Sequence, residues 1–218
     1  DIMIPYAASD TRDTFYLYEK FLPMIHAEKL EKPFDVEMRI IPIIFQIERN
    51  GYGVIEENVE AAEKRLNKEL KDTEAQIHSV AGEHINVNSA ADIVKTYNKL
   101  GYDYDKLTDK GNYATDADTI QTLTHHEIPE VAEFSRNILK YRRLSKLLNT
   151  FISEIKTYNQ NGSIHCSFWQ SGARTGRMSS SNPNLQNIDR KDDTIRSCFG
   201  PRPGYINVHI DYAQQEYR

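Results

Sequence analysis

The residues with the clearest chemical potential lie between Thr175 and Asp211. The stretch Thr175 to Ile188, TGRMSSSNPNLQNI, sets an arginine, three consecutive serines and four side-chain amides among almost no bulky apolar side chains. Such a segment is poor core material and good material for gripping phosphate oxygens and base edges. Farther on, Asp211 ends the alternating apolar run Ile206, Val208, Ile210, where a carboxylate could hold a divalent metal. A lone aspartate at a strand end also reads as a cap or turn residue. Near the start, Tyr6 and Asp10 are spaced i, i+4, which places both on one face of a helix.

These groups need elements to hold them. Residues 1–30 read as a helix, and Asp35 to Arg49 as a second, with Met38, Ile41, Phe45 and Ile47 at roughly helical spacing. Asn50-Gly51 is a turn signal. A long charged helix is predicted from Glu56 to about Ala81, its thin apolar stripe being Val59, Ala62, Leu66, Leu70, Ile77 and Val80. Ser89-x-x-Asp92 resembles a capping box opening a helix that Gly101 ends. Thr115-x-x-Asp118 repeats the signal for a helix to about His126, and Pro129 suits the first turn of a helix running to about Tyr158. After the Asn161-Gly162 turn the period becomes two. Ile164, Cys166 and Phe168 should face one way, and Ser163, His165 and Ser167 the other. Ile206 to Asp211 reads as another strand with Asp211 on its polar face. The expected class is α+β and predominantly helical: a helical arm leading into the first strands of an antiparallel sheet.

Composition bounds the function classes. Among 218 residues, 39% are hydrophobic and 27% charged, as in ordinary globular chains. No apolar run could span a membrane and no signal-peptide pattern opens the chain. Two cysteines, Cys166 and Cys198, suggest neither a disulfide framework nor a Cys-x-x-Cys metal pair, and point to a reducing, intracellular setting. The net charge of −5 argues against a generic polyanion binder, but the charge is segregated. Ser135 to Lys156 carries Arg136, Lys140, Arg142, Arg143, Lys146 and Lys156 against Glu154 alone. Gly162 to Arg202 is also basic, and acid collects in Glu56 to Glu83. This pattern fits a protein meeting a polyanion on one face, with a solvated helix face as the alternative for either cluster.

The two blocks TGRMSSSNPNLQNI and DYAQQEYR together resemble the palm entrance of family A DNA polymerases, the bacterial DNA polymerase I type. The resemblance runs along most of the chain. Tyr6-Ala7-Ala8-Ser9-Asp10 is similar to the third motif of the 3′–5′ exonuclease, which implies a metal role for Asp10 and a water-orienting role for Tyr6. Tyr141-Arg142-Arg143-Leu144-Ser145-Lys146-Leu147 resembles the basic duplex-facing helix of the thumb, with Lys140, Arg143 and Lys146 as phosphate contacts. The resemblance implies residues 1–34 as the end of an exonuclease-like domain. Residues 35–160 would be a connecting helix and thumb, and 161–218 the start of the palm.

By the same resemblance Arg177 probes the minor groove at the primer terminus, where acceptors occupy similar positions for all four base pairs. Asn184, Gln186 and Asn187 contact template or primer, supported by Ser179 and Ser180. Asp211 and the backbone carbonyl of Tyr212 serve a two-magnesium site, and Glu216 excludes ribonucleotides. The implied partners are primer–template DNA, dNTP, and the remaining palm and fingers, in the same polypeptide or a separate chain. Gln215, Tyr217 and Asp189 depart from the commoner family residues. The triphosphate-binding lysine helix, the second palm aspartate and the first two exonuclease motifs have no counterpart in these residues. The expectation is therefore part of a DNA-directed DNA polymerase, inactive by itself; a non-catalytic DNA-binding module and one half of a split polymerase are the alternatives.

Overall fold

The computed structural model describes residues 3–188 and 193–214. Their contacts form two compact units, one from Asp1–Gly51 with Cys166–Ser181, the other from Tyr52–His165 with Asn182–Arg218.

The first unit holds α1 (Met3–Ala27) and α2 (Glu31–Asn50) together with a β-hairpin, β4 (Ser167–Trp169) and β5 (Ser179–Ser181). Gly51 ends α2 with φ 67, donating its amide to Ile47 O. None of the residues of α1 is buried, and Ile44 alone is buried in α2. Apolar side chains therefore line both helices in the open, among them Tyr6, Phe15, Phe21 and Phe45.

The second unit is a helical body. Helix α3 (Glu56–Ala81) packs along α6 (Pro129–Lys146), with α4 (Ala90–Lys99) and α5 (Ala117–Gln121) between them in sequence. The apolar stripe of α3 serves two cores. Val59, Ala62 and Leu66 join Leu144, Ile152, Ile155 and Ile164 in one, while Ile77 joins Tyr97, Phe134 and Ile138 in the other. Buried Thr73 lies on the stripe between them, its hydroxyl satisfied by Glu69 O at 2.7 Å.

The helix expected through Tyr158 is continuous but changes winding. α6 passes into a π-helical stretch, Leu147–Ile152, and then α7 (Ser153–Tyr158). The turn that follows has Asn161 at φ 52 and Gly162 at φ 79. Two positive φ values suit a two-residue hairpin loop, which Asn and Gly tolerate best. It joins β2 (Asn159–Gln160) to β3 (Ser163–Ile164), and β3 also pairs with β1 (Tyr52–Gly53), all antiparallel.

Local signals held where a side chain had a backbone donor to satisfy. Ser89 Oγ accepts from Asp92 N at 3.3 Å, and Asp92 Oδ2 accepts from Asn86 N at 2.9 Å. The next cap is displaced by one residue from the expected Thr115. Asp116 accepts from Thr119 N and Thr119 Oγ1, at 3.0 and 2.7 Å, which holds its carboxyl below the ordinary carboxylate range. The helix it opens stops at Gln121, short of His126.

Two strand expectations need correction. The period-two run from Ser163 is broken at His165–Cys166, and its two parts enter different sheets. Ser163 is buried as well as Ile164. Residues 205–212 form no strand, and Ile206, Val208 and Ile210 are 84%, 70% and 85% exposed. Alternation prepares a segment for a sheet, but a strand forms only against a ladder partner, and none of the described residues pairs with this one. Glu216 lies outside the described residues.

Candidate nucleic-acid interface

The basic loop is presented by a short hairpin. Trp169 pairs with Ser179, Phe168 with Ser180 and Ser167 with Ser181, and residues 170–178 between the strands carry Arg174 and Arg177. Carboxylates of α2 anchor the hairpin: Glu48 Oε1 accepts from Phe168 N at 2.6 Å, and Glu37 accepts from Gln170 Nε2 at its carbonyl (2.9 Å) and at Oε2 (2.6 Å). The loop turns at Gly176, whose φ of 75 favours glycine. Arg177 follows it and is exposed.

Directly opposed residues share a face of the pleat. Trp169, Ser179, Ser167 and Ser181 therefore look one way, and Phe168 and Ser180 the other. Ser179 is half-buried, whereas Ser180 is 5% exposed. Ser179 thus lies on the face that carries Trp169, and Ser180 on the opposite face.

In the second unit, Asn184 caps the 3-10 turn Leu185–Asn187, its side chain accepting from Gln186 N at 3.1 Å. Its amide oxygen is thus partly engaged in local structure. Gln186 and Asn187 are exposed beside it, while Pro183 is buried.

The basic helix divides its charges by role. Lys140, Arg143 and Lys146 are exposed on α6. Arg136 Nη1 instead donates to Thr124 O at 2.7 Å, Arg142 Nη1 donates to Thr115 O, and Lys156 pairs with Glu63 at 2.9 Å. Arg136, Arg142 and Lys156 therefore tie α6 and α7 to their neighbours. Nothing in spacing alone separates the two groups.

The carboxylate sites are open. Asp211 and Tyr212 are exposed, and Tyr6 and Asp10 lie one turn apart on the exposed surface of α1. Among the described residues no three His, Cys, Asp or Glu side chains are grouped to hold a metal ion. The donors at Asp211, a carboxylate and the adjacent Tyr212 carbonyl, are the hard oxygen type that magnesium takes. Burial raises both thiols above the ordinary range, Cys198 to about 11, so neither is poised as a nucleophile. No helix among the described residues is long and apolar enough to cross a membrane.

The family model for DNA polymerase family A matches residues 56–218. The chain belongs to that family. Membership covers the helical body, the Thr175–Ile188 loop and the Asp211 segment in one continuous match. The chain is 32% identical to the DNA polymerase I of Caldicellulosiruptor bescii over 210 residues, 93% of this chain and 24% of that protein. It is also 32% identical to the DNA polymerase I of Pseudomonas aeruginosa (98% and 24%) and to the DNA polymerase of Escherichia phage T5 (99% and 26%). It thus spans about a quarter of the length of the curated relatives it matches. A solved structure, the POL domain of Pol1 from M. smegmatis in complex with DNA primer-template and dNTP, superposes with a TM-score of 0.67 at 28% identity. That match covers 78% of this family A chain and 30% of the other.

The sequence reading passed over Trp169. It is the chain's sole tryptophan and is 58% exposed on the open face of the hairpin, a combination of rarity and polar surroundings that could have singled it out.

Proposed function

We propose that this chain supplies the thumb and first palm segment of a DNA-directed DNA polymerase, preceded at residues 1–34 by the closing helix of an exonuclease-like domain. Residues 35–160 carry the connecting helix and thumb, and 161–218 the start of the palm. The observation that carries the reading is the Arg177 loop: family A sequence, displayed in the open on a hairpin anchored by Glu48 and Glu37.

In this reading Arg177 donates to the minor-groove acceptors of the terminal primer pair. Ser179, Asn184, Gln186 and Asn187 bond sugars and base edges, Ser180 supports the hairpin from its buried side, and Lys140, Arg143 and Lys146 follow the phosphate backbone. Asp211 and the Tyr212 carbonyl would hold magnesium, which when bound supplies charge stabilisation for nucleotidyl transfer from a dNTP. Glu216 screens the sugar 2′ position, and Tyr6 with Asp10 serves an exonuclease-type site.

The exposed alternation at Ile206, Val208 and Ile210 supports a further step: the palm is completed by other strands, from the same polypeptide or a separate chain. Primer extension tests the assignment. The 218-residue chain alone should bind primer–template weakly and extend nothing, because one palm carboxylate and one carbonyl do not complete the coordination of two metal ions. Magnesium-dependent extension by it would overturn this placement of the chemistry.

A further inference from the structure

Trp169 sits where an apolar side chain has little structural reason to be. On its face of the β4–β5 hairpin the neighbours are Ser167, Ser179 and Ser181. Its indole Nε1 donates to Ser181 Oγ at 2.9 Å, yet the residue is 58% exposed. The bond fixes the ring against the hairpin while leaving much of its surface to solvent. The hairpin's other aromatic, Phe168, lies on the opposite face and is half-buried.

An exposed aromatic ring ringed by hydroxyls is unlike a protein-docking patch, which gathers several apolar side chains. It does resemble the composition of a nucleic-acid surface: an aromatic platform, hydroxyl donors and nearby cations. The cations are Arg174 and Arg177, in the loop that directly continues from Trp169 to its partner Ser179. A ring of this kind recognises the flat face of a base. Bases inside a duplex already cover their faces by stacking, so the ligand is an unpaired nucleotide.

We propose that Trp169 is a stacking platform for an unpaired base of the nucleic acid held by the Arg177 loop. The inference rests on the nucleic-acid reading of that loop and adds a single-stranded contact to it. Stacking of this kind tolerates any base, since every base has a π-face.

Because the chain has one tryptophan, its intrinsic emission reports on this residue alone. The chain is titrated with dye-labelled primer–template carrying a single-stranded template overhang. Dye anisotropy reads binding, and indole emission with acrylamide accessibility reads Trp169. Emission and accessibility should fall along the anisotropy isotherm with the overhang, and stay unchanged with blunt duplex. Trp169→Ala should weaken overhang binding roughly 5- to 150-fold, and Trp169→Phe by much less. Normal binding with an unresponsive indole, or equal quenching by blunt duplex, would overturn the stacking role and leave the loop's nucleic-acid role standing. Absence of any anisotropy change with either DNA would instead remove the underlying reading.

Discussion

Gly172 and Ser179 approach so closely across the β4–β5 hairpin that a Cβ on Gly172 would lie 1.8 Å from Ser179 Oγ and 2.9 Å from Ser179 Cβ. Rotating the hydroxyl relieves the first clash but not the second. The loop bearing Arg174 and Arg177 is thus folded down onto the strand that follows it, and glycine at 172 is what permits the closeness.

Gly172→Ala should therefore displace β5 or the loop rather than be absorbed by a side chain. Overpacking of this kind typically costs about 1–3 kcal/mol locally, borne by a hairpin that contributes no residue to either buried core. Global stability should change little while affinity for primer–template falls several-fold. Thermal unfolding and DNA titration of the same preparation check this; unchanged affinity would mean that the loop's closed form is not the binding form.

The division of labour on α6 predicts two different phenotypes from one basic cluster. Replacing Lys140, Arg143 and Lys146 together should flatten the slope of log affinity against log salt, since each lost phosphate contact removes close to one unit. Arg142→Ala should act the other way. It deprives Thr115 O of its donor, at a cost of roughly 1–3 kcal/mol of stability, with little change in salt slope. An unchanged slope in the triple variant assigns that face to solvent.

What the sequence made legible was local. Helix α3 was readable from Glu56 to Ala81 because its apolar spacing keeps helical period on both sides of Thr73, and the Asn161-Gly162 turn because few other residues accept its backbone. Asp116 rather than Thr115 caps α5, a choice between adjacent oxygens that pattern cannot make. The π-helical stretch at Leu147–Ile152 carries no sequence mark at all. Ile206 to Asp211 failed for the opposite reason: its alternation is clear, but a strand is a property of two segments, and none of the described residues pairs with this one. At the site, residue types identified the Arg177 loop, while the inward turn of Ser180 and the carbonyl-bound Arg136 and Arg142 required coordinates.

Tyr97 gives the helical body an alkaline limit. Its hydroxyl lies 2.8 Å from Ser135 Oγ in the core, and burial pushes its pKa from 10.0 up to about 12. The fold disfavours the tyrosinate, so the associated stability is fully present below pH 10 and is lost as pH rises toward 12. At about 1.4 kcal/mol per pH unit, the loss is on the order of 3 kcal/mol. Tyr97→Phe should cost about 1 kcal/mol at pH 8 through the missing hydrogen bond, with Ser135 still donating to Val131 O at 2.7 Å. The variant should equal or exceed the parent near pH 11. Urea unfolding at both pH values decides it; a deficit that persists unchanged at pH 11 would assign the alkaline loss to other groups.

Asp211 and Arg177 should fail in separable ways when changed in the complete polymerase. On the proposed reading Asp211→Asn removes a metal-holding charge and no duplex contact, so synthesis should be abolished while duplex affinity stays nearly intact. On the same reading Arg177→Ala removes a charged hydrogen bond to the groove, worth roughly 1.5–3 kcal/mol, or about 10- to 150-fold in rate. Metal-dependent chemistry should survive in that variant. Its extension should slow, and its discrimination between paired and mispaired primer ends should weaken most, because the minor-groove acceptors are the feature a mispair displaces. Extension rates on matched and mismatched termini, measured beside DNA affinity, separate the two roles. Full synthesis by Asp211→Asn would remove Asp211 from the metal site, and an Arg177→Ala enzyme equal to the parent on both termini would remove Arg177 from the primer end.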